Sequence, residues 1–268
     1  MDEKSIIRKD KGGQITIWVI LGVVIVASVL LIYLIRTNPE LIRPNQGEET
    51  FDTQSYIEQC ARQSVIEVTD IIIPQAGLLN LRNSIMFNNT KVEYICDYIG
   101  YFEPCINQHP ALMQEIKRDI SSYVTPKLDE CFKNMKMEFE KKQAQVNFDD
   151  SSPPLIKIGL GKDRIFINVE KKTTIEKLGE SNSFDELNFE VSSPLYNLAS
   201  IAMEIADQEA KYCYFENVGY SIVYPRYNIG LFRMSESTKI YTIRDTNSGK
   251  SMNIAIRGCA IPQGLSTK

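Results

Sequence analysis

The segment Ile15–Ile35 constrains this chain more than any other feature of its sequence, because it is strongly apolar and carries no charged side chain. As an α-helix it would extend about 31 Å, which matches the hydrocarbon thickness of a bilayer. It is longer than the apolar core of a secretory signal peptide, and no small-residue cleavage site follows it. We therefore predict a single transmembrane helix over residues 14–36 that the mature protein retains.

The basic residues on either side of this segment predict its orientation. They are Lys4, Arg8, Lys9 and Lys11 before the segment, and Arg36 and Arg43 shortly after it. The flank with more lysine and arginine stays in the cytoplasm. We expect a cytoplasmic leader over residues 1–13, the cell membrane as the location, and the C-terminal domain outside the cell.

The cysteines test this orientation independently. They are Cys60, Cys96, Cys105, Cys131, Cys213 and Cys259, all beyond the apolar segment. An even number of cysteines in an oxidising compartment is typical of disulfide bonding. No C-x-x-C motif occurs and the chain has a single histidine, so the close ligand pairs of a zinc site are missing. Six buried free thiols in a cytosolic domain are the alternative, which the predicted topology disfavours.

The sequence limits the disulfide connectivity without deciding it, because six cysteines allow fifteen pairings. Cys96 and Cys105 flank a turn-like segment and are near enough in sequence to close a small loop. Cys60 and Cys131 lie on two successive amphipathic segments. The two remaining cysteines would then form the third pair.

The triplet Asn88-Asn89-Thr90 matches the acceptor pattern for N-glycosylation. It lies between two predicted elements, where a glycan at Asn88 would be exposed to solvent. Such triplets also occur by chance, but this one agrees with an outside location.

Hydrophobic periodicity predicts an α+β domain behind a stalk over residues 37–52. A mainly helical part, residues 53–150, has amphipathic helices at 53–81, interrupted near Pro74, and at 110–142, kinked at Pro126. A mainly β part, residues 151–268, has one helix that starts at Ser193, with Ser193 as its N-cap. We expect the helices to pack on an antiparallel sheet, in one core or in two subdomains divided near Asp150.

Alternation of apolar residues predicts the strands of the β part. The expected strands are LIKIGL, RIFINVEKKTTI, YCYF, YSIVYP, NIGLFRM, KIYTIRD and MNIAIRGCAI, with hairpin turns at residues 161–163 and 247–250. Residues 159–162 do not have the spacing of a phosphate-binding loop.

No standard catalytic constellation can be assembled from this sequence. Any serine or cysteine triad would have to use His109, which precedes Pro110 at a helix start and is predicted to be an exposed capping residue. The acidic pairs Asp149-Asp150 and Asp185-Glu186 are assigned to polar loops and do not have calcium-loop spacing. We therefore expect no enzymatic activity, no metal and no cofactor, and the net charge of −4 disfavours nucleic acid as a partner.

Tyrosine is abundant in the C-terminal third of the chain, at Tyr212, Tyr214, Tyr220, Tyr224, Tyr227 and Tyr241. Aromatic residues are enriched at binding surfaces, but half-buried strands favour them as strongly. We expect these tyrosines to pack within the fold, unless several of them are exposed together.

The motif Lys11-Gly12-Gly13-Gln14 resembles the cleavage context of a class III signal peptide. In that family a prepilin peptidase cuts after the glycine and leaves the apolar helix attached, so the resemblance implies processing between Gly13 and Gln14. In type IV pilins the freed helix packs into a filament core. This chain departs from the pilin pattern at Trp18, where the family has an acidic residue. An uncleaved signal anchor is the alternative.

A second, looser resemblance covers most of the chain. The segments Tyr56-Ile57-Glu58-Gln59-Cys60, Lys127-Leu128-Asp129-Glu130-Cys131 and Ile243-Arg244-Asp245 resemble a group of uncharacterised single-pass archaeal membrane-anchored surface proteins. The resemblance implies no activity, but it favours pairing Cys60 with Cys131.

Two functions fit these features. The first is a membrane-anchored extracytoplasmic structural or surface protein, pilin-like in its N-terminal helix, whose partners are the lipid bilayer and copies of itself or other surface proteins. The second is a monomeric membrane-tethered binding domain whose ligand the sequence does not identify.

Overall fold

The computed structural model describes residues 20–30, 53–98, 100, 103–177 and 180–259. The chain divides into two units, Met1–Asp52 and Thr53–Lys268. In the first unit residues 20–30 are helical, and their large apolar side chains are exposed. The leader, the Gly13–Gln14 processing site, the stalk and the rest of the predicted 14–36 span lie outside the described residues. Within the part of the chain that is described, no helix has both the length and the apolar character that crossing a bilayer requires.

The second unit is a mixed α+β structure, which confirms the predicted class. Its helices are α1 (Thr53–Ile72), α2 (Leu112–Lys141), α3 (Leu195–Tyr212) and α4 (Asn217–Val223), and a short 3₁₀ turn spans Ile73–Gln75. Its strands are β1 (Ser84–Phe87), β2 (Thr90–Asp97), β3 (Ile106–Asn107), β4 (Gln145–Phe148), β5 (Leu155–Gly161), β6 (Arg164–Lys177), β7 (Glu180–Ser192), β8 (Tyr227–Arg233), β9 (Thr238–Asp245) and β10 (Ser251–Arg257).

The first sheet has the strand order β1-β2-β10-β9-β8, and β3 pairs with β2. Its neighbours are antiparallel except for β2 and β10, which run parallel. The prediction of an antiparallel sheet is therefore too simple. Hairpins force antiparallel pairing between sequence neighbours, but β2 and β10 are joined by most of the domain, so no hairpin fixes their relative direction.

The second sheet is built around β6, the longest strand. β7 pairs along one side of β6, and β5 and β4 follow one another along the other side, all antiparallel. The predicted hairpin at residues 161–163 is confirmed, since Gly161 pairs with Arg164 across a two-residue turn. Asp185 and Glu186 lie in β7 rather than in a polar loop, because the inward side chains of this strand are apolar and the outward ones are polar.

The helices cover one face of each sheet. α2 packs against α1, β4 and β5, whereas α3 packs against β2, β9 and β10. α1 ends where the sequence predicts an interruption, since Pro74 lies in the 3₁₀ turn that follows it. α3 begins at Leu195 with Pro194 as its N-cap residue, so the predicted N-cap at Ser193 is wrong by one position. The Leu195 backbone N–H still donates to Ser193 Oγ, at 3.3 Å. The helices leave one face of the second sheet uncovered.

The structure differs from the sequence prediction between residues 212 and 225. The segments YCYF and YSIVYP were predicted as strands, but neither is one. Residues 217–223 form α4, so the C-terminal part contains two helices rather than one. Glu216 explains the helix start, because its carboxylate accepts a hydrogen bond from the Gly219 backbone N–H at 3.2 Å. Short apolar runs cannot be assigned to strand or helix by periodicity alone.

Candidate interaction surface

All six cysteines are paired in the structure, which confirms the predicted disulfide bonding. The pairs are Cys60 with Cys131, Cys96 with Cys105 and Cys213 with Cys259, at Cα–Cα distances of 6.5, 5.4 and 5.7 Å. The first joins α1 to α2, the second closes the loop between β2 and β3, and the third ties the end of α3 to the residues after β10. The connectivity that the sequence left open is thereby decided.

The third disulfide lies at the base of the segment that leads into α4. Cys213 adopts a left-handed backbone conformation that ends α3 and redirects the chain. Phe215 follows and is buried, with its ring edge-on to Tyr241 at 5.9 Å between centroids. A covalent bond and an aromatic anchor thus fix the start of α4 against the first sheet.

α4 contacts β8 through polar groups. The Asn217 side-chain amide donates to the Ile229 carbonyl at 2.9 Å, and the Ile229 backbone N–H donates to Ser221 Oγ at 3.1 Å. Both backbone groups of Ile229 at the sheet edge are satisfied in this way. α4 therefore covers an edge strand that would otherwise be open to pairing with another chain.

The opposite side of α4 is apolar and faces solvent. Val218 and Ile222, one turn apart, are 61% and 75% exposed, and Val223 beside them is also exposed. No residue of this helix is buried. The usual arrangement of an amphipathic surface helix is reversed, because its polar side is bonded to the protein and its apolar side is free.

The tyrosines of this region divide into two groups. Tyr241 is buried, and Tyr220 and Tyr227 are half-buried, as packing within the fold requires. Tyr212, Tyr214 and Tyr224 are each more than half exposed. Several tyrosines are therefore exposed together, which is the condition for the binding interpretation. We define the tyrosine-rich surface as Tyr212, Tyr214, Val218, Ile222, Val223 and Tyr224.

An ion pair between Lys239 and the buried Glu209 contacts the segment that leads into α4. Lys239 Nζ lies 2.6 Å from Glu209 Oε2 and donates to the Cys213 carbonyl at 2.8 Å. The Tyr241 hydroxyl donates to the same Glu209 carboxylate, and burial together with this carboxylate raises the pKa of Tyr241. Burial, with the Glu204 carboxylate nearby, raises the pKa of Tyr220 to about 12. Both hydroxyls therefore remain neutral donors at physiological pH.

The single histidine lies elsewhere, and its predicted exposure is wrong. His109 is only 2% exposed, with Nε2 3.3 Å from Glu93 Oε1 and Nδ1 3.0 Å from Glu115 Oε2. Burial alone would lower the pKa of His109, but the hydrogen bonds to Glu93 and Glu115 outweigh it and raise that pKa. Backbone N–H groups of Arg82 and Asn83 also donate to Glu93, at 3.0 Å. The carboxylates of Glu93 and Glu115 offset the free-energy cost of burying His109, whose burial was not predicted from the sequence.

The sequence contains one indication of this cluster, which is a glutamate within an otherwise apolar strand. Glu93 interrupts a run of buried residues in β2, and a buried carboxylate requires a partner. Its partners are His109, which lies between β3 and α2, and the backbone N–H groups of Arg82 and Asn83. Glu115 in the first turn of α2 then contacts the other ring nitrogen of His109. Spacing in the sequence does not reveal these partners. The cluster joins β2 to α2 and serves the fold.

The remaining predicted sites are placed as follows. Asn88 is exposed at the tip of the β1–β2 hairpin, where Asn88 and Asn89 both have positive φ, so a glycan there would project into solvent. Asp149 accepts hydrogen bonds from Ser151, and Asp150 pairs with Lys136. No grouping of metal-ligating side chains that would hold an ion occurs among the described residues.

No family model, no curated protein and no solved structure matches this chain.

Proposed function

We propose that this chain is a membrane-anchored extracytoplasmic surface subunit that associates with neighbouring copies of itself through the tyrosine-rich surface. One observation carries the proposal, which is the reversed orientation of α4. Contiguous exposed apolar surface on a folded protein marks an interaction site. Tyrosine is also among the residues enriched at interfaces.

The predicted anchor explains how a small surface would suffice. Stable association in solution requires an interface much larger than one two-turn helix and its flanking tyrosines. Copies held in one membrane by Ile15–Ile35 would meet at a high effective concentration, because tethering converts association into a nearly intramolecular event. We therefore expect association in the membrane and little association of the exterior part alone.

The disulfides support the exterior location in this proposal. Three disulfides that use all six cysteines are typical of secreted and surface proteins and rare in the cytosol. The basic leader and the resemblance to class III signal peptides favour the same orientation. The pilin-like form of the proposal requires in addition that the leader is removed before Gln14.

Site-specific photo-crosslinking of the full chain in its membrane tests the proposal. A photoreactive residue replaces Ile222 in one variant, and in a matched control it replaces Lys172, an exposed residue of β6 outside the tyrosine-rich surface. We expect a product of twice the chain mass from the first variant only. A product with a different protein would favour the monomeric tethered binding domain. Monomer alone from both variants would contradict an interaction role for this surface.

Mass spectrometry of the mature N-terminus separates the two forms of the proposal. A chain that begins at Gln14 supports pilin-type processing, whereas an intact leader supports a plain signal anchor. Labelling of intact cells with a membrane-impermeant reagent tests the orientation separately. A shielded C-terminal domain with reduced thiols would contradict the surface location.

A further inference from the structure

The second sheet has an outward face that α1–α4 do not use. Along the centre of this face, β6 presents Arg164, Phe166, Asn168 and Glu170, while the inward residues of the same strand are buried. A shallow depression of about 590 Å³ lies around Phe166 and Asn168. Its volume falls within the range of small-ligand sites.

Two glycines of β5 give this depression its shape. Gly159 lies directly opposite Phe166, and Gly161 lies one step along the same face. A Cβ atom on Gly161 would fall 2.7 Å from Phe166 Cε2, so a side chain there would displace the ring. The Phe166 ring therefore lies across the glycine backbone, and the side chain remains 45% exposed. The result is a flat aromatic platform open to solvent.

A polar group beside the platform has an unused hydrogen-bonding atom. The Asn168 side-chain amide donates to Asn188 Oδ1 at 2.8 Å and to Glu186 Oε2 at 3.2 Å. Because carboxylate and carbonyl oxygens only accept, these contacts fix the orientation of the amide and leave Asn168 Oδ1 as an acceptor. That oxygen is inaccessible to solvent and accepts no hydrogen bond from any described residue. Buried polar atoms of this kind are uncommon and call for an explanation.

The charges around the platform indicate which ligand class fits. Two basic side chains on this face are paired with carboxylates, Lys157 with Glu170 and Arg164 with Glu190. The Glu186 carboxylate adds a further negative charge beside Asn168. Among the described residues that line the depression, the basic side chain of Lys157 is already paired, so no free positive charge lies there for a phosphate or sulfate group. A neutral ligand rich in hydroxyl groups suits these donors and acceptors better than an anion.

We propose that this face of the second sheet is a binding site for a neutral saccharide. The C–H face of a sugar ring would stack on the Phe166 ring, whose face carries partial negative charge. The carboxylates at the rim would accept from sugar hydroxyls. A further hydroxyl would donate to Asn168 Oδ1 once the Asn168 side chain rotates out of its contacts with Asn188 and Glu186. The site lies on elements other than those of the tyrosine-rich surface, so it is independent of self-association.

Saturation-transfer NMR on the full chain in a non-glycosidic detergent tests this proposal. The probes are mannotriose, maltotriose and tri-N-acetylchitotriose, with a heparin tetrasaccharide as the anionic comparison. We expect at least one neutral probe to bind and the heparin probe to bind more weakly. We expect Phe166→Ala to weaken the binding of that neutral probe about tenfold, which corresponds to the loss of one aromatic contact.

Two further variants make the test specific. Asn168→Ala removes the unused acceptor and should weaken binding several-fold, whereas Leu155→Ala removes an exposed apolar side chain at the far end of the same face and should leave binding within twofold. Thermal unfolding confirms that each variant is folded. Absence of binding by every neutral probe, preference for heparin, or equal binding by wild type and Phe166→Ala would overturn the proposal.

Discussion

At the scale of single residues, this domain places several charged groups where water cannot solvate them. Glu93, His109, Glu209 and Asp245 are all buried. Each has a partner of opposite charge, such as Arg226 for Asp245 at 2.9 Å. A buried charge is tolerated only when it is paired and hydrogen-bonded. Substitution of one partner therefore has a larger effect on stability than substitution of an exposed charge.

The His109 cluster predicts how stability depends on pH. The pKa of His109 is raised in the folded state above its ordinary value of 6.5. The stabilisation by the imidazolium is fully present below that ordinary value and is lost as the pH rises through the raised pKa. We expect the thermal midpoint of the wild type to fall over this window. His109→Gln removes the titrating group and should abolish this component while lowering stability by about 3 kcal/mol. An unchanged pH dependence in His109→Gln would contradict the assignment.

At the scale of elements, α4 is held in place by its base and its polar side rather than by its apolar residues. Phe215, Asn217 and Ser221 contact the rest of the domain, whereas Val218 and Ile222 are mostly exposed to solvent. An apolar residue at an exposed position adds little to stability, because it remains in contact with water in the folded state. The residues that stabilise the position of α4 are therefore different from those that would contact a partner.

A pair of substitutions tests this separation. Phe215→Ala removes a buried ring and is expected to lower the free energy of unfolding by about 3 kcal/mol. Ile222→Ser changes an outward side chain and should alter it by less than about 0.5 kcal/mol, while it reduces cross-linking between copies in the membrane. Chemical denaturation measures both values. A large loss of stability in Ile222→Ser would show that α4 packs through its apolar side after all.

At the scale of the whole molecule, three disulfides cross-link the domain, and two of them join parts that are distant in sequence. The sequence separations they span are 71 residues for Cys60–Cys131, 46 for Cys213–Cys259 and 9 for Cys96–Cys105. In the chain-entropy model, a cross-link restricts the unfolded chain more strongly when it closes a longer loop. The two long-range disulfides are therefore expected to contribute most to stability.

Removal of each pair measures this contribution. We expect Cys60→Ser with Cys131→Ser to lower the free energy of unfolding by about 4 kcal/mol, and Cys96→Ser with Cys105→Ser by about 2.5 kcal/mol. The short loop serves as the matched control, since the chemical change is the same. Equal losses for the two double variants would show that native-state packing rather than loop entropy determines the effect.

The sequence by itself determined the features that depend on local pattern. The amphipathic stripes of α1 and α2, the β5–β6 hairpin and the turn at residues 247–250 follow from spacing and turn residues over a few positions. The even cysteine count likewise predicted disulfide bonding.

Only the tertiary structure decided the features that depend on residues far apart in the chain. His109 lies between Glu93 and Glu115, and β10 runs parallel to β2. On α4, Val218 and Ile222 lie on the side exposed to solvent. The Phe166 platform depends in the same way on β5 and β7 meeting β6 in one register. The physical reason is that neighbours in space determine which residues are buried and which groups form hydrogen bonds. Local periodicity indicates only that an element has an apolar side and a polar side.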